Sequence, residues 1–146
     1  MRLIVIDIGN TSVDLGLFSG EKLTFTARIS TKDNKSEFEI ADSIKSLLRI
    51  QEIEPNELDI IISSVVPNKT QIVEKASQII NNKKPIVVTH KFDLSIKNKY
   101  NPAEDVGIDR IVDSLAAIRL YGSPAVILDI GTCLVFNAVS SENEYL

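Results

Sequence analysis

Apolar residues near the start of the chain are spaced as strands require. A near-continuous apolar run occupies residues 2–7, which is typical of a strand buried on both faces. A second apolar run covers residues 13–18, and residues 23–29 alternate between apolar and polar side chains, as a half-buried strand does. Ser19-Gly20-Glu21 has the composition of a hairpin turn. We therefore predict a three-stranded β-meander.

Helical periodicity follows the meander. Ser36 and Glu39 have the spacing of a capping box, and the apolar residues behind them fall on one helical face, so a helix is predicted over residues 36–50. Further along, the pattern predicts a buried parallel strand at 58–66 that is ended by Pro67, a helix at 69–81 and a short strand at 85–89. The resulting β-β-β-α-β-α-β order predicts an α/β fold with a mixed sheet.

The rest of the chain begins with a polar, aperiodic segment at residues 90–104. Loops of this kind on rigid scaffolds often carry binding residues. A helix is then predicted over residues 105–121, because Gly122 and Pro124 end its apolar stripe. Two strands at 125–129 and 134–140 and the start of a returning strand at 145–146 complete the prediction.

Composition narrows the class of protein. The 146 residues are 44% hydrophobic and 25% charged, with a net charge of −4 and an isoelectric point of about 5.0. A broad basic face for nucleic acid is therefore disfavoured, and no apolar run is long enough for a signal peptide or a membrane span. The single cysteine, Cys133, and the single histidine, His90, do not provide a disulfide or the usual ligands of a zinc site. These features predict a soluble, cytoplasmic protein without nucleic-acid or membrane partners.

One short motif occurs twice. Asp7-Ile8-Gly9-Asn10-Thr11 follows the first predicted strand, and Asp129-Ile130-Gly131-Thr132 follows a matching strand near the end of the chain. Glycine lets a turn approach a phosphate closely, so the amides of Gly9, Asn10 and Thr11 and the Thr11 hydroxyl are candidate donors to its oxygens. Asp7 lies where a phosphate-bound magnesium ion needs a carboxylate, usually through water. The recurrence favours a duplicated core that holds a nucleotide between two turns.

The chain resembles the type III pantothenate kinases in five separate segments, whose order and spacing match that family across the whole sequence. They are Asp7-Ile8-Gly9-Asn10-Thr11, Ser63-Ser64-Val65-Val66-Pro67, Tyr100-Asn101-Pro102, Gly107-Ile108-Asp109-Arg110 and Asp129-Ile130-Gly131-Thr132. The Asn-Thr ending of the first turn and the Gly-x-Asp-Arg motif are the specific parts. The Asp-x-Gly elements belong to the wider superfamily of actin, sugar kinases and heat-shock chaperones.

This resemblance implies a fold and an activity. In the superfamily, two ribonuclease-H-like domains hold ATP between paired phosphate turns. The chain is thus expected to contain the first such domain at 1–122, with a bridging helix at 105–121, and the start of the second at 123–146. The implied activity is ATP-dependent phosphorylation of pantothenate to 4'-phosphopantothenate, the first step of coenzyme A synthesis. Also implied are magnesium, a monovalent cation (potassium or ammonium) and a homodimer when full length.

The same resemblance implies roles for individual residues. Asp129 is expected at the monovalent cation, and Asp7 is expected to hold magnesium through water. ATP is expected to contact Asp7, Ile8, Gly9, Asn10, Thr11, Ser12, Val13, Asp14 and Thr132. Pantothenate is expected to contact Tyr100, Gly107, Ile108, Asp109 and Arg110, with Asp109 as the general base.

Asp109 can also be judged from residue chemistry. Phosphoryl transfer to an alcohol relies on positioning and charge neutralisation, and a nearby carboxylate can accept the hydroxyl proton. Asp109 lies in the first predicted turn of its helix, after a polar loop, and Arg110 is suited to pair with a carboxylate or a phosphoryl group. A structural alternative stays open, because acidic residues are common in first turns and Arg110 is spaced to pair with Asp113.

Two features depart from the family pattern. After Gly131-Thr132 the family usually has small and hydroxyl residues and then an aspartate, whereas this chain has Cys133-Leu134-Val135-Phe136-Asn137. Fewer hydroxyls and one fewer carboxylate are thus expected at the second turn. The second domain of the family also needs about a hundred further residues. We therefore expect an incomplete N-terminal portion with an unpaired apolar strand edge and no kinase turnover by itself.

Two other functions stay open. A catalytically silent relative that binds a ligand or a partner fits the unusual residues 133–135, although Asp7, Asp109 and Arg110 oppose it. Another sugar or acid kinase of the superfamily is disfavoured by residues 107–110. His90 is interpreted as structural, and residues 63–67 are interpreted as the end of a strand.

Overall fold

The computed structural model describes residues 2–131 and 133–146. The described chain forms two compact units, one ending at Val88 and the other comprising Thr89–Leu146, and each contains one β-sheet. No helix among the described residues is long and apolar enough to cross a lipid bilayer. The expected domain boundary at residue 122 concerns a complete two-domain protein, so this division into units leaves it a prediction.

The first unit begins with the predicted meander. Strands β1 (Arg2–Ile8), β2 (Ser12–Ser19) and β3 (Lys22–Ser30) pair antiparallel in sequence order. One face of β1 forms the core, whereas Leu3 and Val5 on the opposite face are half-buried and Asp7 is exposed. The prediction that the first strand is buried on both faces is therefore only partly confirmed. The buried side chains of β1 are Ile4, Ile6 and Ile8.

Helix α1 (Glu37–Ile50) begins where the capping box predicts it. The Glu39 N–H donates to the Ser36 hydroxyl at 3.4 Å, and the Ser36 N–H donates to the Glu39 carboxylate at 2.8 Å. The hydrogen bond from the Ser36 backbone, followed by that from its hydroxyl, lowers the pKa of Glu39.

The inner face of α1 is apolar and buried. Burial of each Ile or Leu side chain on this face contributes about 1.5–3 kcal/mol to the stability of the fold. These side chains are Ile40, Ile44 and Leu48.

Strand β4 (Leu58–Ser64), helix α2 (Pro67–Asn81) and strand β5 (Ile86–Val87) complete the first unit. The strand order is β3-β2-β1-β4-β5, and β4 runs parallel to both β1 and β5. This mixed sheet, with α1 and α2 packed in its core, confirms the predicted fold class. Helix α2 begins two residues earlier than predicted, because the fixed φ and missing N–H of Pro67 suit the first helical position.

The second unit combines a short sheet with one long helix. It contains β6 (Lys97–Asn98), α3 (Ile108–Tyr121), β7 (Ala125–Ile130), β8 (Leu134–Val139) and β9 (Glu144–Tyr145). The strand order is β6-β9-β8-β7, and α3 packs against β7 and β8. Helix α3 starts three residues later than predicted, because a separate 3-10 turn at Ala103–Asp105 precedes it. Strand β6 lies within the segment that was predicted to be a loop.

One face of the β7–β8 hairpin is apolar and exposed. The pairs Leu128–Phe136 and Ile130–Leu134 are in register, so their side chains share a face of the sheet. Ile130 is 77% exposed and Phe136 is 66% exposed. Helix α3 packs against the same hairpin. The two strands carry apolar side chains on both faces, as strands that are buried on both faces do. Among the described residues, only one of those faces is covered.

Candidate active site

The first predicted phosphate turn connects β1 to β2. Asp7 is exposed and Ile8 is fully buried, so the end of β1 carries its carboxylate at the surface while the next side chain anchors the strand. The Gly9 N–H donates to the Ser12 carbonyl at 2.9 Å. The Gly9 amide is thus already used within the turn, contrary to its expected availability. The Asn10 N–H makes no hydrogen bond to the described residues and remains a candidate donor.

Gly9 is not required by the local conformation. Its φ lies outside the left-handed region, and a Cβ built on it would lie 3.4 Å from the Ser12 carbonyl oxygen, which is an ordinary contact. An alanine would therefore fit the local backbone of this turn. A need for glycine here would come from the close approach of a ligand to the backbone.

The three residues after this turn have structural partners. Val13 is 5% exposed and belongs to the core. The Ser12 hydroxyl donates to the Asp14 carboxylate at 2.8 Å, and the Arg28 guanidinium pairs with the other oxygen of the same carboxylate. These side chains stabilise the pairing of β2 with β3. Their expected contact with ATP stays a prediction.

Two further residues lie beside the turn, and sequence reasoning did not select them for this role. Thr31, directly after β3, is buried and hydrogen-bonds to the turn, although its position at the end of an alternating pattern gave no signal. Ser63 on β4 is the register partner of Asp7, and its buried hydroxyl has no partner among the described residues. Both polar side chains are at the carboxyl ends of strands, where open α/β sheets bind ligands.

The rest of the Ser63–Pro67 segment has a local role. The Ser64 hydroxyl accepts hydrogen bonds from the Val66 N–H at 3.1 Å and from the Thr70 hydroxyl at 2.7 Å. These bonds tie the first turn of α2 to the end of β4. The N-terminus of α2 has no side-chain cap of its own.

The predicted substrate loop is held by a neighbouring asparagine. Tyr100 is 51% exposed, and its N–H donates to the Asn98 Oδ1 at 3.0 Å. The Asn98 Nδ2 donates to the Ala103 carbonyl at 2.9 Å. One side chain thus joins both ends of the segment that contains Tyr100, Asn101 and Pro102. A residue of β6 was not predicted to do this, because a two-residue strand leaves no periodicity.

Strand β6 is itself anchored by β9. Asn98 pairs in register with Tyr145, and the Lys99 N–H donates to the Tyr145 carbonyl at 2.8 Å. The Glu144 carboxylate lies 3.2 Å from the Lys99 ammonium and 3.8 Å from the Lys97 ammonium. The hydrogen bond that the Lys99 ammonium donates to the Glu144 carboxylate raises the pKa of Lys99. The predicted substrate loop therefore begins from a strand that backbone and charged contacts both hold.

The Gly-x-Asp-Arg motif forms the start of α3. Gly107 is the N-cap and Ile108 is 5% exposed, so Ile108 presents its backbone rather than its side chain. Asp109 is half-buried, and its Oδ1 accepts a hydrogen bond from the Arg110 N–H at 2.8 Å. The exposed Arg110 guanidinium forms no ion pair with the described residues, so the alternative pairing with Asp113 does not occur.

The second turn follows β7. Asp129 and Gly131 are exposed, and the Gly131 N–H donates to the Cys133 carbonyl at 3.1 Å. Thr132, which is expected to contact ATP, lies outside the described residues. Asn137, which departs from the family pattern, is 1% exposed and accepts a hydrogen bond from the Tyr145 hydroxyl at 2.8 Å. Position 137 is therefore in the interior of the second unit of this chain, and the expected loss of a carboxylate at the turn stays a prediction.

The available metal ligands are few. The described residues contain no group of three or more His, Cys, Asp or Glu side chains that could hold a metal ion. Magnesium commonly keeps several waters and binds through one or two carboxylates together with substrate phosphates. The exposed Asp7 carboxylate fits that arrangement. Asp129 likewise offers a single exposed carboxylate to a cation.

Comparison with solved structures supports the predicted fold. The ROK hexokinase from Thermus thermophilus is similar, with a TM-score of 0.53 and 14% sequence identity. The match covers 100% of this chain and 48% of that chain. At this level of identity, the likeness shows only the fold.

Sequence comparison gives a family. A family model described as type III pantothenate kinase matches residues 3–146. Two curated relatives carry the name Type III pantothenate kinase, one from Finegoldia magna and one from a Geobacillus species. Each is 37% identical over 145 residues, which covers 99% of this chain and 55% or 56% of the relative, respectively. The chain thus spans about half the length of these relatives. Because the family model covers nearly all of it, the chain belongs to the type III pantothenate kinase family.

Proposed function

We propose that the protein containing this chain transfers the γ-phosphoryl group of ATP to pantothenate and forms 4'-phosphopantothenate, the first step of coenzyme A synthesis. Family membership and the names of the two curated relatives support this substrate. The observation that carries the proposal is the conformation of Asp109. Its carboxylate is held at one oxygen by the Arg110 N–H, in the first turn of α3 and a few residues after the anchored loop.

In the proposed reaction, Asp109 is the general base. The pantothenate hydroxyl oxygen attacks the γ-phosphorus, the bond from that phosphorus to the β–γ bridging oxygen breaks, and ADP leaves. The hydroxyl proton moves to the Oδ2 of Asp109, because its Oδ1 already accepts the Arg110 hydrogen bond. A fixed carboxylate keeps the accepting oxygen in one orientation, which is how positioning contributes to phosphoryl transfer.

Arg110 is proposed to bind negative charge. Its guanidinium is exposed and unpaired among the described residues, so no internal ion pair has to break before it binds the pantothenate carboxylate or the transferred phosphoryl group. A guanidinium also presents two parallel donors, a geometry that matches either group. Tyr100, Gly107 and the backbone of Ile108 are proposed to complete the pantothenate site.

The residues from Asp7 to Thr11 are proposed to contact the ATP phosphates, with the Asn10 amide as one donor and Asp7 near the metal. Ile8, Ser12, Val13 and Asp14 would contribute through the backbone, because their side chains are buried or bonded to each other. Magnesium bound with ATP would neutralise charge on the phosphates.

Further features belong to the same proposal. Thr132 is proposed at the ATP phosphates and Asp129 at a potassium or ammonium ion. We further propose that residues 1–122 form the first ribonuclease-H-like domain, that residues 123–146 begin the second, and that the complete protein is a cytoplasmic homodimer.

A chimera tests this function. This chain replaces the aligned half of the Geobacillus relative, and ATP-dependent formation of phosphopantothenate is measured by mass spectrometry with the intact relative as a positive control. We expect pantothenate-dependent ADP release and the phosphorylated product. A folded chimera that binds pantothenate and forms no product would favour the catalytically silent alternative. A chimera that phosphorylates a sugar instead would contradict the substrate. The same exchange in the Finegoldia magna relative repeats the test in a second host.

A further inference from the structure

Thr31 makes two hydrogen bonds to the first phosphate turn. It directly follows β3 and is 6% exposed. Its hydroxyl donates to the Gly9 carbonyl at 2.8 Å, and its backbone N–H donates to the Thr11 carbonyl at 2.9 Å. One buried residue thus holds both sides of the peptide segment on which Asn10 lies.

Internal hydrogen bonds occupy three carbonyl oxygens of the turn. The carbonyls of Gly9 and Thr11 accept from Thr31, and the carbonyl of Ser12 accepts from the Gly9 N–H. Carbonyl oxygens carry partial negative charge and repel phosphate oxygens, whereas amide groups that face a concave turn attract them. A turn in which these three carbonyls are bonded internally presents an amide donor to an anion without rearranging. The described residues leave the Asn10 N–H as such a donor.

We propose that Thr31 is a positioning residue for nucleotide phosphate: its hydroxyl, donated to Gly9, keeps the turn in the conformation that binds the anion. This role rests on the proposed function, in which this turn contacts ATP. Thr31 itself does not touch the ligand in this proposal and acts only through the backbone of residues 9–11. Substitution can remove its hydroxyl or its methyl group, whereas the backbone N–H is kept in either case.

The chain offers a matched control on β3, the strand that Thr31 follows. The Thr24 hydroxyl also donates to a backbone carbonyl, that of Leu17, at 3.1 Å. Thr24 lies near the start of β3, whereas Thr31 follows its end. Thr24→Val and Thr31→Val therefore remove the same kind of hydrogen bond from the same sheet, one far from the turn along β3 and one in contact with it. Thr31→Ser keeps the hydroxyl and removes only the methyl group.

Titration of the purified chain with MgATP, followed through the amide NMR signals of residues 9–12, measures the effect. We expect Thr31→Val to weaken MgATP binding about tenfold, since a partly buried carbonyl loses its donor. Thr24→Val and Thr31→Ser are expected to remain within about twofold of the unsubstituted chain. The proposal is overturned if Thr31→Val binds MgATP as Thr24→Val does, or if Thr31→Ser is as weak as Thr31→Val.

A second measurement separates this proposal from the proposed function. Amide hydrogen exchange at Gly9, whose N–H bonds to Ser12, reports the turn without any ligand. Thr31→Val is expected to accelerate that exchange severalfold relative to Thr24→Val, and equal exchange overturns the holding role. If the unsubstituted chain shows no saturable MgATP shifts, nucleotide binding at this turn fails, and with it the nucleotide part of the Thr31 role. Thr31→Cys, a weaker donor of similar volume, replaces Thr31→Val if that variant does not fold.

Discussion

The side-chain amide of Asn98 donates a hydrogen bond to the main-chain carbonyl of Ala103 at 2.9 Å. The same side chain accepts the Tyr100 N–H, so one residue closes a short loop at both ends. Asn98 is paired with Tyr145 in the sheet, and the loop therefore starts from a fixed point. The segment proposed to contact pantothenate is thus held in place by the protein itself. This lowers the entropic cost of ordering the loop when a ligand binds.

Replacing Asn98 by alanine removes both of these hydrogen bonds. We expect faster amide exchange at Tyr100 in the purified chain. In the chimera, we expect the KM for pantothenate to rise about fivefold or more while the KM for ATP is unchanged, since each lost bond weakens a preorganised loop. Asn56→Ala is the matched control, because Asn56 is exposed and its side chain makes no hydrogen bond to the described residues. Equal KM values for the two variants would refute the role of Asn98.

Glycine at position 9 gives a second prediction. Gly9→Ala fits the local backbone, so the unfolding temperature of the chain is expected to change little, whereas a methyl group on the turn obstructs a phosphate and weakens MgATP binding. Gly20→Ala is expected to lower the unfolding temperature and to leave MgATP binding unchanged. Gly20 has a φ of +60°, where alanine costs about 1 kcal/mol of stability, and it lies in the β2–β3 hairpin turn. Thermal unfolding and nucleotide titration of both variants check the pair, and a stability loss in Gly9→Ala without weaker binding would contradict the expectation.

The capping box of α1 predicts a pH dependence. Hydrogen bonds from Ser36 lower the pKa of Glu39 in the folded chain. A carboxyl whose folded pKa is below its unfolded value stabilises the fold above the unfolded pKa, about 4.3, and loses that contribution as the pH falls through the folded value. Glu39→Gln should therefore lower the unfolding temperature at neutral pH and approach the unsubstituted chain in acid.

The control for this comparison is Glu37→Gln. Glu37 lies in the same first turn of α1 but makes no side-chain hydrogen bond to the described residues. Thermal unfolding of both variants is measured between about pH 3 and pH 7, a range that spans the ordinary carboxyl pKa values. A stability difference for Glu39→Gln that does not change with pH would show that the capping carboxylate does not act as described.

The exposed face of the β7–β8 hairpin predicts association of the purified chain. Exposed apolar patches bind hydrophobic dyes and other proteins. Val126 and Ile130 lie on the edge strand and are 74% and 77% exposed. Replacing both by lysine is expected to reduce dye fluorescence and to shift the chain toward monomer in sedimentation experiments. Ile50→Lys is the control, since Ile50 is 72% exposed on α1, outside this face. The expectation fails if the double variant at Val126 and Ile130 and the Ile50→Lys control change dye fluorescence and sedimentation equally.

Hydrophobic periodicity was sufficient for most of the first unit. Its strands and helices each present an apolar face to one core, so the spacing of Ile40, Ile44 and Leu48 on α1 or of the isoleucines in β1 directly reflects burial. The capping box also located the start of α1, because its two hydrogen bonds are local in sequence. Long elements with one buried face are therefore predictable from the chain alone.

The second unit was less predictable for physical reasons. Strand β6 depends on pairing with β9, more than forty positions away, and two residues carry no periodicity. The 3-10 turn at Ala103–Asp105 has the acidic composition of a helix first turn, which explains the early predicted start of α3. Thr31 and Asn98 bond to backbone atoms, and such contacts depend on tertiary position rather than on a sequence pattern. The motif residues themselves were selected by family resemblance.

Replacement of Asp109 by asparagine in the chimera tests the central claim most directly. Asparagine keeps the shape and an oxygen for the Arg110 N–H, but it cannot accept the substrate proton. The account predicts a kcat at least about 100-fold lower, with little change in MgATP or pantothenate binding. Asp105→Asn, an exposed aspartate in the preceding 3-10 turn, should retain its activity within about twofold. Retention of the parental kcat by Asp109→Asn would contradict the assignment of Asp109 as the general base.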